Sequence, residues 1–132
     1  MQIQQTPHKA AAPALDPFNR ELASVPMRFL AKDAIAACAS FRDAVCLAWE
    51  HRASRGMTQR TLAELLEIPA SHMSNMLNRE GVDRHGKPRQ DLPARSIADF
   101  EQRVGNRAVS QYLARLAMLT LMEEVITAQR GL

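Results

Sequence analysis

No apolar run in the sequence is long enough for a membrane helix: the longest, residues 116–122, is broken by Thr120 and falls far short of the ~20 residues a span needs. The first fifteen residues hold Pro7, His8, Lys9 and an alanine cluster, without the charged start and long apolar segment of a secretory leader. A cytoplasmic chain is therefore expected. Cysteine is scarce. Cys38 and Cys46 lie eight residues apart in sequence that reads as helical, farther than a disulfide can bridge, so both are expected to be reduced and structural. A glycine-rich phosphate loop, a nucleophile elbow and a pair of carboxylates facing one cleft are all missing, and Glu123 and Glu124 diverge as neighbours on one helix. The chain is read as a non-enzyme with no catalytic residues and no cofactor. His51, His72 and His85 lack the short paired spacing with the cysteines that a zinc site requires, and no metal is expected. Strand-like alternation and internal repeats are lacking too.

What remains is 132 residues, 46% hydrophobic and 23% charged, the profile of one ordinary globular domain. Seventeen Lys and Arg against fourteen Asp and Glu give a net charge of +3, compatible with an anionic partner but far from a polycationic tail.

Residues 1–32 carry Pro7, Pro13 and Pro17 near their start and read as an N-terminal arm, with a single domain over 33–132. Within the domain the spacing of apolar residues predicts an all-α protein of five to six helices. Ser40 followed by Asp43 has the spacing of a helix cap, and Phe41, Val45, Ala48 and Trp49 recur at three- and four-residue steps, predicting a helix over 41–54 with Arg42, Asp43, Glu50 and Arg52 on its polar side. Gly56 ends it. Thr58 caps a second helix over 59–66, and Pro69 opens a third over 70–78, since the first helical turn has no use for its missing N–H. Residues 79–90, with two glycines, a proline and many charges, read as an exposed loop. A fourth helix runs from Pro93 to Gly105. Asn106 then caps a long C-terminal helix in which Val109, Tyr112, Leu113, Leu116, Leu119, Met122 and Ile126 keep helical spacing.

The informative stretch is 58–78, TQRTLAELLEIPASHMSNMLN: two short helices joined by a tight turn. Ala63 is small where the pair crosses, Leu62 and Leu66 face inward from the first helix, and Met73 and Leu77 face inward from the second. Ala70, Ser71, Ser74, Asn75 and Asn78 are left facing outward, small or polar and none acidic, as a helix entering a DNA major groove would present them.

These residues resemble the helix-turn-helix of lambda-repressor-like regulators of the Xre or Cro type, over twenty positions without a gap. The helices before and after it reproduce that family's five-helix arrangement over about two thirds of the chain. The segment LPARSIADFEQRVGNRAVSQYLAR is also similar to the region following the motif in small phage and prophage regulators. The resemblance implies a sequence-specific transcriptional regulator bound to double-stranded DNA. In it Gln59 would contact a phosphate while steadying the recognition helix, Ala70, Ser71, Ser74 and Asn75 would face base edges, and Asn78 would bond a backbone phosphate. Two residues depart from the family pattern: Glu67 stands at the usual turn glycine, and Pro69 replaces the common capping Ser or Thr.

Arg60 and Arg79 are further candidates for phosphate contact, and Arg84, Lys87 and Arg89 could complete a clamp with Arg79, although Glu80, Asp83 and Asp91 are interleaved. The apolar stripe of the last helix exceeds what so small a domain must cover, which suggests a homodimer through that helix. The competing expectation is a protein-interaction module, such as the antitoxin of a toxin–antitoxin pair, whose last helix or arm covers a second protein.

Overall fold

A computed structural model describes residues 27–131. Among them the protein is all-α, with six α-helices and no strand: α1 (Lys32–Ala36), α2 (Phe41–Glu50), α3 (Gln59–Leu66), α4 (Ala70–Met76), α5 (Ile97–Val104) and α6 (Ala108–Gln129). Most of the arm, residues 1–26, lies outside the described residues. Its last residues are tied to the body. Arg28 pairs by backbone with Gly105 and Arg107, Leu30 N–H donates to the Gln111 side chain, and Lys32 already begins α1.

Ser40 Oγ accepts from Asp43 N–H while the Asp43 carboxylate accepts from Ala39 N–H, a reciprocal cap that starts α2. The helix stops at Glu50 rather than Ser54, because the Arg52 guanidinium turns back to the carbonyls of Trp49, Arg55 and Met57 and lies 4.0 Å from the Trp49 ring centroid. Thr58 Oγ1 accepts from Thr61 N–H and starts α3 at the expected place. Pro93 leads into a 3₁₀ turn, Ala94–Ser96, that runs on into α5. Gly105 ends α5 in the left-handed region at φ 84°, with Ala53 Cβ 3.0 Å from where a side chain would begin, so two separate reasons favour glycine.

Helices α2, α3, α4 and α5 and the root of α6 enclose one core, in which Val45, Leu62, Met73, Phe100, Val104 and Val109 are fully buried. Two buried polar residues fix α6 at its start. The N-cap of α6 is Arg107, which makes no side-chain cap, one residue later than the expected Asn106; Asn106 instead accepts from Ala108 N–H and donates to the carbonyls of Ala48 and His51, a bridge onto α2. The buried Glu101 carboxylate accepts from the backbone N–H and the hydroxyl of Ser110, satisfying a first-turn donor of α6.

Beyond Tyr112 the character of α6 changes. Every residue from Leu113 to Gly131 is exposed, including Leu113, Leu116, Met118, Leu119, Leu121, Met122, Val125 and Ile126. No helix among the described residues is long and apolar enough to cross a membrane.

Candidate nucleic-acid interface

Helices α3 and α4 pack on each other across the turn formed by residues 67–69. Ala63 and Leu62 are buried at the crossing, with Ile68 N–H donating to the Ala63 carbonyl. Glu67 adopts φ 57° and ψ 43°, the left-handed conformation that glycine takes without cost, and it is the one non-glycine residue with positive φ among those described. The departure noted in the sequence is thus absorbed as local strain with the turn intact. Pro69, extended at ψ 141°, leads directly into α4 and leaves that helix without a side-chain cap.

Met73, Met76 and Leu77 turn inward from α4 and are buried. Ala70, Ser71, His72 and Ser74 are exposed on its other side, with no acidic side chain between Glu67 and Glu80. Asn75 and Asn78 are half-buried. The helix ends at Met76, two residues early, for a reason absent from the periodicity. The Arg42 side chain, expected on the solvent side of α2, is 8% exposed and donates from Nη1 to the carbonyls of Asn75 (2.7 Å) and Asn78 (2.9 Å). Its Nη2 donates to the carbonyls of Arg89 and Gln90 and to Asp91 Oδ1 at 3.0 Å. One guanidinium therefore holds both the end of α4 and the far end of the following loop. A buried arginine whose partners are mostly backbone carbonyls leaves no mark in a sequence.

The loop is a small hairpin. Asp83 N–H donates to the Lys87 carbonyl and Arg89 N–H to that of Gly81, with an antiparallel bridge between Val82 and Pro88. Asp83 Oδ1 accepts from the N–H groups of His85 and Lys87, and Gly86 turns the chain at φ 80°. Two of the interleaved acids are thereby engaged: Asp83 shapes the tip and Asp91 faces Arg42.

The structure divides the expected basic clamp into two kinds of residue. Arg84 and Lys87 are exposed at the hairpin tip, where Arg84 Nε lies 3.4 Å from the His85 ring. Arg89 is half-buried, donating to the Val82 carbonyl and, at 2.8 Å, to Asn75 Oδ1. Arg79 forks onto both carboxylate oxygens of Glu50, at 2.8 and 3.1 Å, with Asp43 3.6 Å away. The hydrogen bond to Glu50 raises its guanidinium pKa above the ordinary value. Asn78 also has local work, since its Oδ1 accepts from Glu80 N–H and turns the chain out of the helix. Gln59 opens α3 half-buried, beside the exposed Arg60.

Among the described residues, no group of three or more His, Cys, Asp or Glu side chains is placed to hold a metal ion. Comparison with family models, with curated proteins and with solved structures returns no match.

Proposed function

We propose that this protein is a sequence-specific DNA-binding transcriptional regulator of the phage or prophage type, acting in the cytoplasm, with α4 entering the major groove of double-stranded DNA. One observation carries the reading. The exposed side of α4 is small, polar and free of acids, and Arg42 and Arg89 fasten it to a hairpin tipped by Arg84 and Lys87.

In this reading Ser71 and Ser74 hydrogen-bond base edges, Ala70 offers a methyl contact to thymine, and Asn75 presents its amide N–H₂ while its oxygen is held by Arg89. Arg60, Arg84 and Lys87 contact phosphates, with Gln59 and Asn78 at the two ends of the helix pair. Arg79 serves the body of the domain more than the duplex, because its charge already faces Glu50. No catalytic step and no cofactor is assigned.

The test is selection of bound duplexes from a random DNA pool by the full chain at fixed, near-physiological salt, followed by sequencing. Enrichment of a defined site supports the reading. Retention of all duplexes alike, or of none, removes it, and the second reading then leads: a module that covers another protein, favoured by the bare apolar length of α6.

A further inference from the structure

We infer that the depression at the end of α2, lined among the described residues by Arg28, His51, Arg52, Ala53 and Arg55, is a binding site for a phosphate group. It is open to solvent and encloses about 330 Å³, with three guanidinium groups and an imidazole around it. Among the described residues no carboxylate pairs with any of these three arginines; the acids in ion pairs face Arg42, Arg79, Arg103 and Arg107 instead. Glu50, directly before the cluster in sequence, is already forked by Arg79. Like charges gathered around one concavity without a counter-charge repel one another, and an anion seated between them relieves that repulsion.

The surroundings hold the site ready. Arg28 is fixed through its backbone, its N–H donating to the Gly105 carbonyl and its carbonyl accepting from Arg107 N–H, and its Nη2 donates to the His51 carbonyl. Arg52 lies over the Trp49 ring and donates to the carbonyls of Trp49, Arg55 and Met57. His51 Nδ1 sits 3.1 Å from the Leu47 carbonyl, which fixes the ring. Side chains already immobilised lose less entropy when a ligand arrives.

These carbonyl bonds close off the end of α2, and they do not exhaust the guanidinium groups. An arginine carries five N–H donors, of which Arg28 gives one to a carbonyl and Arg52 three. The Arg55 guanidinium has no part in that closure. It is exposed and makes no hydrogen bond or ion pair with any described residue, so a purely structural role leaves its place in the cluster unexplained.

Charge selects the ligand. A carboxylate brings one negative charge and two oxygens, whereas a phosphate monoester brings roughly two charges and three acceptor oxygens, closer to what three guanidinium forks can take. A nucleic-acid backbone presents the same forked oxygens in a row of like charges. The position favours that source. Arg52 Nε donates to the carbonyl of Met57, the residue before the Thr58 cap, so the cluster is tied to the turn from which α3 starts with Gln59 and Arg60. Resting on the DNA-binding reading, the cluster extends the phosphate contact of Arg60 along the duplex backbone.

The test uses the full chain and inorganic phosphate, so its failure is separable from failure of the DNA reading. Proton–nitrogen correlation spectra of the arginine Nε groups, recorded against increasing phosphate at fixed ionic strength, should show saturable shifts of Arg28, Arg52 and Arg55 with a Kd on the order of 1–10 mM. Replacing two of them together, Arg28→Gln with Arg55→Gln, should weaken binding roughly tenfold as read at Arg52, while Arg115→Gln on the exposed part of α6 leaves it unchanged. The source is then read on the selected duplex. A fall of ~1 in the slope of log affinity against log salt for the double variant identifies a duplex phosphate, and an unchanged slope removes the duplex and leaves a free phosphate ester as the ligand. If no duplex is bound, the phosphate titration alone decides. Shifts that rise without saturation, that acetate reproduces, or that persist unchanged in the double variant overturn the proposal, whatever the duplex shows.

Discussion

Arg89 donates to Asn75 Oδ1 at 2.8 Å, so the base of the hairpin and the last outward-facing amide of α4 share one hydrogen bond. The bond fixes which end of the amide faces out. With its oxygen taken, Asn75 offers donors, and a donor pair suits purine N7 or O6 and thymine O4 more than the exocyclic amino groups. Asn75→Ala should therefore relax preference at one base position by ~1–3 kcal/mol. Arg89→Ala should relax preference at that same position, because the amide is then free to flip. A double-mutant cycle read by competition binding against the selected site and its single-base variants should show the two changes to be less than additive. Full additivity, or equal loss on every sequence for Asn75→Ala, would sink this assignment.

Arg42 should be among the least replaceable residues. Arg42→Leu leaves four carbonyls and Asp91 without their donor, and is expected to cost about 3 kcal/mol in urea unfolding. Arg42→Lys should recover less than half of that loss, because a compact ammonium cannot span both chain segments as the planar fork does. A loss under about 0.5 kcal/mol for Arg42→Leu would show that water replaces the guanidinium freely.

Glu67 offers the opposite outcome, a stabilising change. In the left-handed region a Glu costs on the order of 1 kcal/mol relative to Gly, so Glu67→Gly should raise stability by roughly 0.5–1 kcal/mol, less the entropy that glycine adds to the unfolded chain. Glu67→Asn should fall between the two. Thermal unfolding of the three proteins decides it, and a lower midpoint for Glu67→Gly contradicts the strain argument.

The outline of the fold is legible in the sequence because caps and apolar spacing are local. Ser40, Thr58 and Gly105 each act through neighbours a few residues away, and the structure finds them at their expected work. The bounds that moved were set by side chains whose partners are backbone carbonyls. Arg42 ends α4 from a helix more than thirty residues earlier, and Arg52 ends α2 by gathering carbonyls only three to five residues away, a contact that apolar spacing does not report. The outward residues of α4 could be read because burial of Met73 and Leu77 dictates the opposite side. Periodicity missed Met76, which is buried as well. The state of the basic residues could not be read, since pairing of Arg79 with Glu50 joins positions twenty-nine apart in sequence, which no short-range spacing reports.

The two thiols give a pH dependence of known sign. Burial, the main cause, raises the pKa of both Cys38 and Cys46 above their ordinary value, with Arg79 opposing it. The folded protein therefore holds these protons to higher pH than the unfolded chain does. Stability from this source is complete below the ordinary thiol pKa and is lost as pH rises through the folded values. Urea unfolding between pH 7 and pH 10 should show a decline that is shallower in Cys46→Ala. An identical slope in both proteins would remove the thiol from the account.

Asn106 joins stretches of chain that are made far apart in time. Its amide bonds to Ala48, fifty-eight residues earlier, and its backbone bridges to Arg28, while Gln111 grips Leu30 across eighty-one residues. Contacts of such long sequence separation close late and slow the search for the native state, even in a helical protein. On the ribosome, α1 and α2 therefore emerge without the helix they are shaped to meet, and the domain completes its core only when the root of α6 is free to return to them.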